Sequence, residues 1–128
     1  MKFTASLKRN HEFKRLYNKG KSVASKYVVI YCTKTGKPGN QLGITVSTKL
    51  GGAVQRNRIR RRLKEIYRLN ENSLYTGYNI VLVARMKSRD AGWNDLQASV
   101  MFLFDKIGLT KKINDPDIGT LNKDKTAK

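Results

Sequence analysis

The segment from Ala53 to Asn70 constrains this chain more than any other. It carries Arg56, Arg58, Arg60, Arg61, Arg62, Lys64 and Arg68 against Glu65 alone. Its regularly spaced apolar residues are Ile59, Leu63 and Ile66. At about 100° per residue these three form one helical stripe together with Asn70. Asn57, Arg61, Lys64 and Arg68 fall opposite that stripe. Arg56, Arg60 and Tyr67 lie on one flank, and Arg58 and Arg62 on the other. So narrow a stripe must rest on another element. Like charges one turn apart repel, and folding alone gives no reason for such a density of cations. A phosphate-rich partner does, because each neutralised phosphate releases counterions, and Arg forks onto phosphates and stacks on bases. Gly51-Gly52 lets a foreign backbone approach just where the helix start offers free N–H groups. Arg56 and Arg58 point in different directions, so either the helix touches its partner on more than one side or one of the two is structural.

Around this helix the pattern predicts a helix over 11–19, capped by Asn10 and closed by Gly20 at the C′ position. A strand over 27–33 follows, apolar on both faces, then turn chemistry from Thr35 to Asn40 and a second strand over 41–47. The short link predicts that these two strands pair antiparallel. After the arginine helix come an apolar strand over 79–85 and a helix over 94–107, with Leu96, Val100, Leu103, Phe104 and Ile107 at helical spacing and Gly108 ending it. The order helix, strand, strand, helix, strand, helix is that of an α+β domain with helices packed on a sheet. From Leu109 onward the chain is polar and Lys-rich. We therefore expect one domain over 1–108 and a disordered tail over 109–128.

Size and charge narrow the function. A chain of 128 residues can bury a core without disulfides or structural metal. No run approaches the roughly 18 apolar residues of a membrane span, and the first residues lack the apolar stretch of a secretory signal. Cys32 has no partner for an internal disulfide. These features predict a soluble, cytoplasmic protein. The net charge of +18 calls for a polyanion, either nucleic acid or an anionic membrane surface. The positive charge is concentrated in residues 1–26 and 56–68, while 69–104 balance Arg85, Lys87 and Arg89 with Glu71, Asp90 and Asp95. A basic amphipathic helix on a membrane is the weaker reading, because the apolar stripe is short and better used on the sheet.

Phe13 and Tyr17 share a face of the first helix, and Tyr27, Val29 and Tyr31 share a strand face. With Lys14, Arg15, Lys19 and Lys26 nearby, they could line a groove for single-stranded nucleic acid, where rings stack on bases; as ordinary core they would do neither. There is one histidine, His11, no Cys/His metal spacing, no P-loop and no nucleophile motif. We expect no catalytic or metal-binding residue on the protein and no small-molecule substrate.

The stretch from Leu42-Gly43-Ile44-Thr45-Val46 through Gly51-Gly52-Ala53-Val54-Gln55-Arg56-Asn57-Arg58 into the basic helix resembles the signature of the bacterial ribonuclease P protein family. The resemblance extends to Glu12-Phe13 with Tyr17, to Val29-Ile30-Tyr31 and to Val83-Ala84-Arg85, and covers roughly residues 4–108. It implies a ribosomal protein S5 domain 2-like α+β fold, with a small mixed sheet and a left-handed β-α-β crossover. It implies two partners, the catalytic RNA of ribonuclease P and precursor tRNA, and Mg²⁺ held mainly by RNA. The holoenzyme would cut the 5′ leader from precursor tRNA, with the chemistry carried by the RNA. Lys49, Arg56, Asn57, Arg58, Arg60, Arg61, Arg62, Lys64 and Arg68 would contact the catalytic RNA. Phe13, Tyr17, Val29 and Tyr31 would hold the leader. The family pattern has a second basic residue where Thr48 stands and Phe where Tyr17 stands. The alternative is a stand-alone RNA-binding module such as a ribosomal protein or RNA chaperone, which explains the charge but not an accompanying aromatic groove.

Overall fold

A computed structural model describes residues 1–111. Its elements run β1 (Thr4–Ser6), α1 (Asn10–Lys19), β2 (Lys21–Ala24), β3 (Val28–Lys34), β4 (Asn40–Thr45), α2 (Ala53–Asn70), β5 (Tyr78–Ala84) and α3 (Trp93–Lys106), with short 3-10 turns at Thr48–Leu50, Glu71–Ser73 and Met86–Asp90. The chain is a small α+β domain with one mixed sheet in the order β1-β4-β5-β3-β2. No helix among the described residues is long and apolar enough to cross a membrane.

The central place of β5 follows from its sequence. Ile80, Val81 and Leu82 are all fully buried, so both faces of this strand are covered, as a central strand requires. That overturns the expected hairpin between β3 and β4. β5 lies between them, antiparallel to β3 and parallel to β4. The turn from Thr35 to Gly39 straddles the start of β5, since the Thr35 N–H donates to the Gly77 carbonyl at 2.7 Å and the Gly77 N–H donates to the Gly39 carbonyl at 2.7 Å. It spans two strand spacings, about 10 Å, which so short a link can reach.

Helices cover both faces unequally. α2 and α3 pack on one face, where Ile59, Leu63, Ile66 and Tyr67 of α2 and Leu96, Val100, Leu103 and Phe104 of α3 meet Val28, Ile30, Ile80 and Leu82. Tyr67, placed on a flank by helical angle, is fully buried, so the apolar stripe of α2 is wider than three residues. Its ring meets Phe104 edge to face, with centroids 6.1 Å apart. α1 alone sits on the other face, through Leu16 against Leu7 and Val81. It therefore leaves part of that face open.

Three local expectations change. Asn10 is the first residue of α1, and its predecessor Arg9 takes the N-cap position without a side-chain cap. Gly20 closes α1 in extended backbone, not in the left-handed conformation of a C′ glycine. A Cβ there would lie 2.6 Å from the Leu16 carbonyl oxygen, so close approach is what requires glycine. Finally, order continues past Gly108. Leu109 is buried, Thr110 bridges Leu74, and the Lys111 N–H donates to the Ser73 carbonyl at 2.8 Å. The rest of the expected tail, 112–128, lies outside the described residues.

Candidate nucleic-acid interface

The open part of the sheet face forms the first surface. Val29 and Tyr31 of β3 lie beside Val83 and Val81 of β5, and α1 crosses the same face with Phe13 and Tyr17. The Tyr17 and Tyr31 rings meet edge to face with centroids 4.9 Å apart; Phe13 stands 6.4 Å from Tyr17. The Tyr17 hydroxyl is 3.1 Å from the Thr45 hydroxyl on β4. Tyr17 remains 40 % exposed, while Phe13, Val29 and Tyr31 are half-buried. Four of the five residues expected to line a groove, Phe13, Tyr17, Val29 and Tyr31, are thus brought together on one accessible face. Tyr27 is not with them, for it packs against the core on the α2/α3 side.

Gly43 is a contributor that the sequence pattern did not single out. It lies under the Phe13 ring, and a Cβ at that position would sit 2.6 Å from the ring edge. Glycine lets the aromatic ring lie close against β4. Beyond the ring, Leu7, Lys8, Leu42 and Ile44 join Arg60 and Lys64 around a depression of about 290 Å³. This is where the aromatic cleft meets the flank of α2.

The second surface is the outward side of α2. Asn57, Arg58, Arg61 and Lys64 are exposed. With Val54, itself 81 % exposed, Asn57, Arg60, Arg61 and Lys64 border a shallow depression of about 420 Å³. Arg60 is held in place by donating to the Asn57 side-chain oxygen at 3.0 Å. Lys49 is exposed on the 3-10 turn before the helix. Arg68 is exposed but ion-paired with Glu65 at 2.6 Å. That pair raises the proton affinity of Arg68, chiefly through the hydrogen bond from its guanidinium.

Two arginines of the helix turn inward. Arg56 is half-buried and donates through Nε to the Gly51 carbonyl at 3.1 Å, which ties the helix start to the Gly51-Gly52 turn. Arg62 donates to the Ala91 carbonyl at 2.8 Å, which ties α2 to the turn before α3. Burial lowers the proton affinity of Arg62, and the nearby charge of Arg58 lowers it further. Of the divergent pair Arg56 and Arg58, then, Arg56 is the one with a structural bond. Among the described residues, no three His, Cys, Asp or Glu side chains come together as a metal site. Cys32 is a free, buried thiol whose pKa burial pushes up, which suits a packing role.

The sequence matches the family described as Ribonuclease P over residues 1–108. The ribonuclease P protein component of Clostridioides difficile is 45 % identical over 98 residues, covering 76 % of this chain and 86 % of that protein. That of Alkaliphilus oremlandii is 38 % identical over 109 residues, covering 85 % and 96 %. Among solved structures, the ribonuclease P protein of Staphylococcus aureus superposes with a TM-score of 0.72 at 30 % identity, covering 83 % of this chain and 97 % of that one. That of Thermotoga maritima gives 0.73 at 28 % identity, covering 79 % and 96 %. The family match runs over both surfaces, and the chain belongs to the ribonuclease P protein family.

Proposed function

We propose that this chain is the ribonuclease P subunit that binds the catalytic RNA along the outward side of α2 and holds the 5′ leader of precursor tRNA in the cleft between α1 and the sheet. The holoenzyme then removes the leader by Mg²⁺-dependent hydrolysis, in the cytoplasm, leaving the mature 5′ end. The observation that carries this reading is the pairing of two unlike surfaces on one small domain. One is a row of exposed cations backed by a rigid helix. The other is an open aromatic cleft, with Tyr17 and Tyr31 in contact. Cations neutralise backbone phosphates, while aromatic faces accept unstacked bases at roughly 1–3 kcal/mol each. A stand-alone RNA-binding module would need only the first.

The chain's own residues bind and position. Mg²⁺ supplies metal-assisted hydrolysis when held by the RNA and substrate. The described residues gather no ligand set for it, so no step is assigned to a metal on this chain.

Reconstitution with a bacterial ribonuclease P RNA at low Mg²⁺ tests the reading. Adding the protein is expected to speed leader removal. No improvement, or robust cleavage by protein without RNA, overturns it. A Phe13→Ala/Tyr17→Ala double change is expected to weaken holoenzyme binding of precursor tRNA by roughly fivefold to tenfold, the lower part of the range for one base-stacking interaction, while mature tRNA binding holds. Equal losses for both tRNAs would make these rings core and not cleft.

A further inference from the structure

A third surface is used by neither the ridge nor the cleft. On α1, at about 100° per residue, Leu16 points to the sheet, Phe13 and Tyr17 take one flank, and Glu12, Arg15 and Lys19 take the other. The structure follows this division. Arg15 and Lys19 border a depression of about 320 Å³ with Lys34 at the end of β3 and Lys37 in the following turn. Around the sheet edge, Lys19 and Lys34 also border a second depression of about 450 Å³ with Lys21. Arg15, Lys19, Lys21, Lys34 and Lys37 are all exposed.

Glu12 is the one carboxylate bordering either depression. It makes no ion pair with these cations, since the only ion pair among the described residues joins Arg68 to Glu65. Five cations from α1, β2, β3 and a turn thus share one end of the domain almost without internal compensation. As with the arginine helix, that arrangement costs self-repulsion and gains nothing for folding. The site is also separate from the cleft. Tyr31 is the cleft residue of β3 nearest Lys34, three residues or about 10 Å along the strand, and α1 divides the two surfaces by turning Phe13 and Tyr17 to one side and Arg15 and Lys19 to the other. No aromatic ring borders the depression on the α1 side, and the one ring bordering the depression around the edge, Tyr78, is half-buried and packs against the core.

We propose that this end of the domain is a second RNA-backbone site, in which Arg15, Lys19, Lys34 and Lys37, with Lys21 around the edge, bind the phosphodiester backbone of folded RNA without regard to sequence. The inference rests on the ribonuclease P reading above, since it supposes an RNA partner. The shared chemistry is a phosphate ribbon, offered either by the catalytic RNA or by the body of the tRNA.

The test is a Lys19→Gln/Lys34→Gln/Lys37→Gln variant of the full chain, with Lys19→Arg/Lys34→Arg/Lys37→Arg as the charge-retaining control. Two equilibria are measured over a range of monovalent salt: protein with catalytic RNA, and holoenzyme with mature and precursor tRNA. The Gln variant is expected to lose about tenfold in affinity in one of them near physiological salt. Its log–log salt slope should become shallower by roughly 0.7–0.9 for each phosphate it no longer neutralises. The Arg variant should match the parent protein. Loss confined to catalytic RNA assigns the ribbon to that RNA; equal loss for both tRNAs assigns it to the tRNA body. An unchanged slope in both equilibria overturns the proposal, as does a loss specific to precursor tRNA, which would merge this surface with the leader cleft. If the parent protein binds neither RNA, the ribonuclease P reading fails first; if it binds and the patch has no effect, only this proposal fails.

Discussion

Replacing Glu71 with Gln is expected to destabilise the protein by about 3 kcal/mol and to lower Tm by on the order of 10 °C. Glu71 is only 3 % exposed. Its Oε1 accepts the Lys2 backbone N–H at 2.9 Å, and its Oε2 accepts the Phe3 N–H at 3.3 Å and the Thr4 hydroxyl. The network continues through the Thr4 and Tyr67 hydroxyls, 2.9 Å apart, to Asn40, whose amide donates to the Tyr67 oxygen at 3.1 Å and whose carbonyl accepts the Tyr78 N–H at 2.9 Å. One carboxylate thus fastens β1 to the end of α2 beneath the sheet. A glutamine keeps the shape but turns an NH₂ group toward donors, so one side of the clasp becomes repulsive. Leu7 and Lys8, which follow β1, border the junction of cleft and ridge, so loosening the clasp should also weaken precursor binding.

The clasp predicts a pH dependence. Burial by itself would raise the Glu71 pKa, but the Thr4 hydroxyl, the two backbone N–H groups and the N-terminal ammonium hold it below the ordinary glutamate value. The folded pKa is therefore the lower of the two. The stabilisation is complete above the unfolded value, about pH 4.3, and is lost as pH falls through the folded one. Thermal melts from pH 7 to pH 3 should show the parent and Glu71→Gln proteins converging below about pH 4. A constant difference in Tm across that range would mean that the carboxylate charge does not hold β1.

The sequence exposed what periodicity can carry. The extent of α2 and the buried positions of α3 follow from apolar spacing and appear in the structure, but β4 does not alternate, since Gly43 is buried beside Leu42 and Ile44 is only half-buried. The two strands that apolar spacing does not reveal, Thr4–Ser6 and Lys21–Ala24, are the two edges of the sheet. Edge strands are short and need not be apolar, so they leave no periodic trace. A short link usually makes a hairpin, which is why β3 and β4 look like a pair. Only the insertion of β5, some forty residues later in the chain, decides otherwise. Glu71 looks like one more compensating surface charge, since the donors that surround it come from residues 2–4. At the cleft Phe13, Tyr17 and Tyr31 share the face that helical and strand spacing suggested, whereas Tyr27 packs with the core on the α2/α3 side; Gly43 left no trace in the pattern, because its role is the room it leaves for a ring from another element.

The arginine helix yields the sharpest separation of folding from binding. An Arg58→Gln/Arg61→Gln/Lys64→Gln variant is expected to bind catalytic RNA on the order of 10²–10³-fold more weakly near physiological salt. Its log–log salt slope should be shallower by about 2–3, as for three phosphates left unneutralised. All three side chains are exposed and none makes a hydrogen bond or ion pair within the described residues, so Tm should change by no more than about 2 °C. The direction of that small change should be upward, because Arg58 no longer repels Arg62. Arg62→Gln should behave in the opposite way. It withdraws the donor from the Ala91 carbonyl and loosens α2 from the turn before α3. The cost is about 1–3 kcal/mol of stability, with RNA affinity falling only as far as the fold loosens. Arg56→Gln, which frees the Gly51 carbonyl, should resemble Arg62→Gln. Paired melts and salt titrations of the three variants decide the matter. If the triple variant unfolds, or if Arg62→Gln loses RNA affinity at an unchanged Tm, then the inward and outward arginines have been exchanged and the ridge must be redrawn around the flank that carries Arg62.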